Sequence, residues 1–172
     1  MAMAIEEISA MLNQIGLPHH FGPQKEIVAV IPCDNHVDTD GKKQLLLGIR
    51  VHGELAQIFE MFMYPAVSEL FNNMRGKHAD AFFKACMITQ IFTRFVQFEF
   101  NPRDNLVMPI IEIPLVDGRL TFDQVRFCLA EFVRAIDDNY QFLRRAAKDG
   151  VLEIPEKWKQ SLGDTPVDWG KS

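Results

Sequence analysis

The sequence predicts an α+β domain built on an antiparallel sheet, with elements in the order α-β-β-β-α-β-β-α. Three observations carry that prediction. Two short β-branched runs, "EIVAVIP" and "QLLLGIRV", are joined and followed by tight-turn signals, Asp40-Gly41 and His52-Gly53-Glu54. The stretch "RFVQFEFNPRDNLVMPIIEIPL" alternates as a hairpin does, with Asn101-Pro102-Arg103-Asp104-Asn105 as the turn between its halves. Apolar stripes at helical spacing lie before, between and after these strands.

Each element follows from local chemistry. Ile5, Ile8, Leu12 and Ile15 mark one face of a first helix, which Gly16 and Pro18 end. "LPHHFGPQ" reads as a connector. Glu26–Pro32 and Gln44–Val51 are the first two strands. Leu55–Pro65 is taken as a third, because Met61, Phe62, Met63 and Tyr64 run into a proline. Short connections make these three an antiparallel meander. "AVSELFNNMRG" leads into a second helix over Lys77–Thr93. Its expected stripe is Ala79, Phe82, Phe83, Cys86, Met87 and Gln90, but Ile88 and Phe92 lie off it. A helix apolar on more than one face is buried on two sides.

In the hairpin, Val96, Phe98, Phe100, Val107, Ile111 and Ile113 make an apolar face. Phe95, Gln97, Glu99, Met108, Ile110 and Glu112 make a mixed one. Pro109 cannot donate to a ladder, so it belongs at an edge or a bulge. The last helix has a capping box, Thr121 with Gln124, and a hydrophobic staple, Leu120 with Val125. Its stripe, Val125, Cys128, Leu129, Phe132, Ile136, Tyr140 and Leu143, runs on to Asp149-Gly150. The expected organisation is one domain, 1–150, with an extension, 151–172. The extension carries Trp158 and Trp169 and docks on the domain.

Composition excludes some classes of function. The 172 residues are 48% hydrophobic and 24% charged. At that size about 70% of the unfolded surface is buried, so a core forms without staples. A net charge of −5 disfavours nucleic acid, whose binders need a positive field. No apolar run approaches the about 18 residues of a membrane span. "MAMAIEEISAMLNQIG" has acids where a secretory signal has bases. Cys33, Cys86 and Cys128 are odd in number and widely spaced, which reads as reduced thiols in a cytoplasmic protein.

No catalytic pattern emerges. Glu99 and Glu112 could face each other across the hairpin, but paired carboxylates act as acid and base only in a pocket. "CDNHVDTDGKK" half resembles a calcium loop. Aligned on Gly41 it places Leu47 where a bidentate glutamate is needed. Cys33 and His36 lack zinc partners, and the adjacent His19-His20 side chains diverge. There is no G-x-S-x-G, P-loop or G-x-G-x-x-G. The chain is therefore expected to be no enzyme and to hold no cofactor or metal.

Three segments carry a resemblance: "KHADAFFKACMITQIFTR", "FVQFEFNPRDNLVMPIIEIPL" and "GRLTFDQVRFCLAEFVRAIDDNYQFL". Together with the element order, the chain from Ile5 to about Arg145 resembles the type III secretion chaperone-like fold. Within that fold it resembles in particular the YbjN-like group of bacterial proteins. The resemblance implies a twisted antiparallel sheet with helices packed on it, often a homodimer, and no active site. Chaperones of this fold bind extended segments of client proteins. YbjN-like proteins are mostly described as regulators or as uncharacterised. The expected function is thus a protein-binding module, dimeric, with a chaperone-like or regulatory role. The expected apolar interface is Phe82, Phe83, Met87, Phe92, Phe95 and Met108, because large exposed apolar patches on monomers are rare and mostly functional. The rival readings are a small-ligand or metal-binding enzyme using the 33–40 loop, and a subunit of a larger complex.

Overall fold

Six strands form one antiparallel sheet, and residues from every described helix join one buried cluster with residues of one face of it. The computed structural model describes residues 4–38, 40–61, 77–93, 95–101, 106–115 and 118–162. In chain order the elements are α1 (Ile5–Ile15), β1 (His19–Phe21), β2 (Ile27–Pro32), β3 (Gln44–His52), β4 (Leu55–Glu60), α2 (Ala79–Phe92), β5 (Gln97–Asn101), β6 (Leu106–Pro114), α3 (Phe122–Asp137), α4 (Tyr140–Asp149) and α5 (Glu156–Leu162). The strand order across the sheet is β1-β2-β3-β4-β6-β5. The α+β class and the β2-β3-β4 meander agree with the sequence. The expected strand reach beyond Met61 and the stretch 66–76 lie outside the described residues.

The first helix ends as its sequence demands. Gly16 adopts φ 77, and the Gly16 and Leu17 N–H groups return to Asn13 and Leu12 carbonyls. The supposed connector after it holds an edge strand. His19, His20 and Phe21 pair with Ala29, Val28 and Ile27. His19 fastens this strand to α1. Its Nδ1–H donates to the Leu17 carbonyl at 2.8 Å, and Ser9 donates its hydroxyl to Nε2 at 2.7 Å. Three residues between prolines show no periodicity, so only the waiting edge of β2 makes them a strand.

Register sets the two faces. Leu45, Leu47 and Ile49 of β3 share a face with Ile27, Ile58 and Ile111. These residues meet Ile8 and Leu12 of α1, Phe82 and Cys86 of α2, and Phe132 and Ile136 of α3 in one buried cluster. The opposite face carries a second buried set, Val28, Phe59 and Ile110, beside the buried amide of Gln57. Across it runs a polar ladder: Arg50 donates to Gln57, which donates to Glu112. The Arg50 guanidinium also lies 4.8 Å above the Phe59 ring. Gly48 makes room for that ring, since a Cβ there would collide with it.

Two hairpin expectations are corrected. Glu99 pairs with Met108 and Glu112 with Gln57, so the two glutamates do not face each other. Pro109 lies on β6, an interior strand. The Phe98 N–H turns outward to the Gln90 side chain of α2 at 3.1 Å, which makes Phe98–Pro109 a non-hydrogen-bonded pair. The proline's missing donor therefore faces β4 just past Phe59–Ile110, where their pairing ends.

The last helix is two helices. The capping box and staple form as expected, with Gln124 N–H on Thr121 Oγ1 at 3.2 Å and Thr121 N–H on Gln124 Oε1 at 2.8 Å. The chain then breaks at Asp138-Asn139. Next to the break, the Asp137 carboxylate accepts the backbone N–H groups of Asp34, Asn35 and His36 at 3.0, 2.8 and 2.7 Å. Asp38 in turn takes the N–H groups of Asp40 and Lys42 and the Gln44 amide. Asp38, one of the acids that half resemble a calcium loop, is thus engaged in shaping its own loop. His36 is buried against Tyr140, ring centroids 5.0 Å apart, with Nδ1–H on the Gln44 carbonyl at 2.7 Å.

Two outcomes follow from these contacts. Gly48→Ala should lower stability by about 1–3 kcal/mol through overpacking against Phe59, read from urea midpoints; an unchanged midpoint would refute the close approach. Partial burial acts to raise the Asp137 carboxyl, but the three N–H donors outweigh it and hold the group below the ordinary aspartate range. A depressed carboxylate contributes stability that is full above the unfolded pKa of about 3.9 and is lost as pH falls through the folded value. Asp137→Ala should cost about 1–3 kcal/mol at neutral pH in this partly solvated setting. The deficit should shrink below about pH 4. A deficit that persists unchanged in acid would contradict the clamp.

Candidate functional site

The six expected interface residues do not form one surface. Phe82 is 1% exposed in the core and has nothing to offer a partner. Phe83 is half-buried, edge-on to Phe100 with centroids 5.8 Å apart. Met108 is half-buried on the opposite face of the sheet, cross-strand from Glu99. Met87 is on the outer face of α2, and Phe92 and Phe95 belong to a cleft at the end of that helix.

The rotation of α2 explains the misplacement. The buried residues are Phe82, Ala85, Cys86, Ile88 and Thr89, not the stripe through Met87. Apolar residues lie all round this helix, so periodicity did not choose its inner face. Ala85 and Thr89 are small, as are the buried Ala146 and Ala147 on α4, against which α2 packs. Small residues on both helices let the axes approach closely. Met87 at 56% exposed and Ile91 at 69% are left outside, one turn apart on one face. Sequence reasoning missed Ile91 altogether, although its spacing from Met87 was available.

The cleft has a volume of about 530 Å³. Phe92 and Trp158 form one wall, stacked at 4.6 Å with an interplanar angle of 9°. Trp158 is buried and also meets Phe142 edge-on at 5.5 Å, which docks α5 on the domain. Trp169 lies outside the described residues. Phe95 and Phe127 form the other aromatic pair, edge-on at 5.6 Å and both exposed. Glu131, Arg134, Asp138 and Lys157 bring charge to the cleft, with Arg134 bonded to Glu131 at 2.7 Å. Asn139 lines it from below and is only 3% exposed. Its Nδ2–H donates to the Ala135 carbonyl at 2.7 Å, while its Oδ1 has no hydrogen-bond partner among the described residues. Asn139 carried no sequence signal, because it reads as one polar residue inside an unbroken stripe.

Nucleophilic chemistry gains no geometry here. Burial pushes the Cys86 thiol well up, and burial together with Glu131 raises that of Cys128. Among the described residues, no three His, Cys, Asp or Glu side chains converge on a point that could hold a metal. No described helix is long and apolar enough to cross a membrane.

No protein-family model and no curated protein matches the chain. A solved structure does. It is the crystal structure of YbjN from E. coli, a suspected transcription regulator, and it superposes with a TM-score of 0.54 over 85% of this chain and 93% of that one, at 11% identity. The chain has a YbjN-like fold. At that identity the likeness concerns the fold alone.

The orientation of α2 can be checked with thiol chemistry. In the native protein Cys86 should resist iodoacetamide, while a cysteine introduced as Met87→Cys should label at least ten-fold faster (burial against exposure of adjacent positions). Equal labelling would mean that the helix is turned differently.

Proposed function

We propose that the chain is a non-enzymatic protein-binding module that pairs as a homodimer and serves a regulatory or chaperone-like role. The carrying observation is the outer face of α2, where Met87 and Ile91 stand exposed one turn apart, beyond the solvent-facing Asp80–Lys84 ion pair. Exposed apolar side chains grouped on a rigid element favour association, since covering them removes apolar area from water at about 25 cal/mol per Å². The YbjN-like fold supports the reading by analogy, and that relative is described as a suspected regulator. The 33–40 loop, the seat of the rival enzymatic reading, has Asp38 bonded to its own backbone.

Light scattering across a concentration series tests the proposal. The protein should run as a dimer, and Ile91→Asp should weaken pairing at least ten-fold without changing the circular dichroism spectrum. A monomer at every concentration, or a dimer indifferent to Ile91→Asp and Met87→Asp, would overturn this face as the seam.

A further inference from the structure

We propose that Ser9 is an activated hydroxyl, with His19 as its base, and that it takes an acyl group from an activated ester or thioester. The inference does not rest on the dimer reading, because neither residue belongs to α2.

The fold creates this pair. Ser9 and His19 are ten positions apart and carry no shared motif. Gly16 ends α1 at φ 77, the chain turns back through Leu17 and Pro18, and the His19 ring comes to lie 2.7 Å from Ser9 Oγ. Both residues are only partly buried, so the hydroxyl is not sealed from a reagent in solution.

The direction of the two hydrogen bonds is fixed by chemistry. A carbonyl oxygen only accepts, so Nδ1 of His19 must carry the proton it gives to the Leu17 carbonyl at 2.8 Å. In the neutral ring Nε2 is then the acceptor, and Ser9 donates to it. A serine inside a helix can give its proton to the carbonyl four residues earlier. Ser9 gives it to the imidazole lone pair instead. Nucleophile, base and a third group that orients the base are the parts of an activated hydroxyl.

Each part is held by a rigid element. Ser9 sits within α1, and the His19 backbone is held in β1 by pairing with Ala29 of β2. The ring is pinned at both nitrogens. Little ordering is left to be done at the moment of reaction.

The step balances without a further reagent. Ser9 Oγ attacks the acyl carbon as its proton passes to His19 Nε2. The bond from the acyl carbon to the leaving oxygen or sulfur breaks, that atom keeps the electron pair, and it takes up the proton from Nε2. The product is a serine ester. It has no hydroxyl proton, so the Ser9 tie to His19 and β1 is lost on modification. The proposal is one modification of a binding module, not turnover.

The probe is p-nitrophenyl acetate, added in excess to the full-length protein, with acetylation of Ser9 followed by peptide mass spectrometry. N-acetylserinamide under the same conditions supplies the rate of an ordinary hydroxyl. Ser9 should react about ten-fold faster or more, since a positioned base contributes roughly 10²–10⁴-fold. His19→Gln should return Ser9 to the reference rate with the circular dichroism spectrum unchanged. If that variant does not fold, the unmodified protein in heavy water decides. Removal of the proton by a base should slow Ser9 acetylation about two-fold there. A Ser9 rate no higher than the reference would overturn the proposal and leave the pair as a tether alone. So would a rate indifferent to His19→Gln. An isotope effect near one would overturn His19 as the base, because it points to attack by the ring itself.

Discussion

One carboxylate ties the two halves of the fold together. Asp137 ends α3 and takes three successive N–H groups from the loop between β2 and β3. These residues are about a hundred positions apart in the chain, so the bonds close a long loop. Around the clamp, His36 is buried on Tyr140 at the start of α4. The helical path breaks just after Asp137, and the buried Asn139 lines the cleft. The loop, the α3–α4 junction and the floor of the cleft are thus held by a single anion in a nest of backbone donors.

The sheet adds a second constraint. Helices cover one face, and the strands alternate accordingly. The other face is neither a plain wet surface nor a second core. Ile110 is fully buried there and Phe59 nearly so, yet Glu99 and Glu112 on the same face are exposed. The ladder from Arg50 through Gln57 to Glu112 satisfies polar groups that the apolar neighbours would otherwise strand. The mixed outer face of the hairpin thus carries a polar seam, and its two glutamates do not face each other.

Two surface features that the primary structure blurs into one lie apart in the fold. The outer face of α2 presents Met87 and Ile91, and the cleft at its end gathers Phe92, Phe95, Phe127 and Trp158. Phe92 and Trp158 are 66 positions apart and are brought into a stack by α5 folding back on α2. The two differ in shape, one a helical face and the other a small concavity.

The sequence by itself determined the features that depend on neighbours in the chain. The capping box at Thr121, the stop at Gly16, the β2-β3-β4 meander and the hairpin alternation are all set by interactions within a few residues, and the α+β class follows from them. Only the tertiary structure decided the features that need a distant partner. His19–Phe21 becomes a strand because β2 offers an open edge. The inner face of α2 is set by its packing on the core and on α4, since its own apolar residues leave the choice open. The break after Asp137 interrupts a stripe that continues unbroken in the sequence, beside the carboxylate that takes the N–H groups of a loop some hundred residues earlier. Periodicity reports which residues share a face, but not which neighbour that face will meet, and the cleft is made wholly of such meetings.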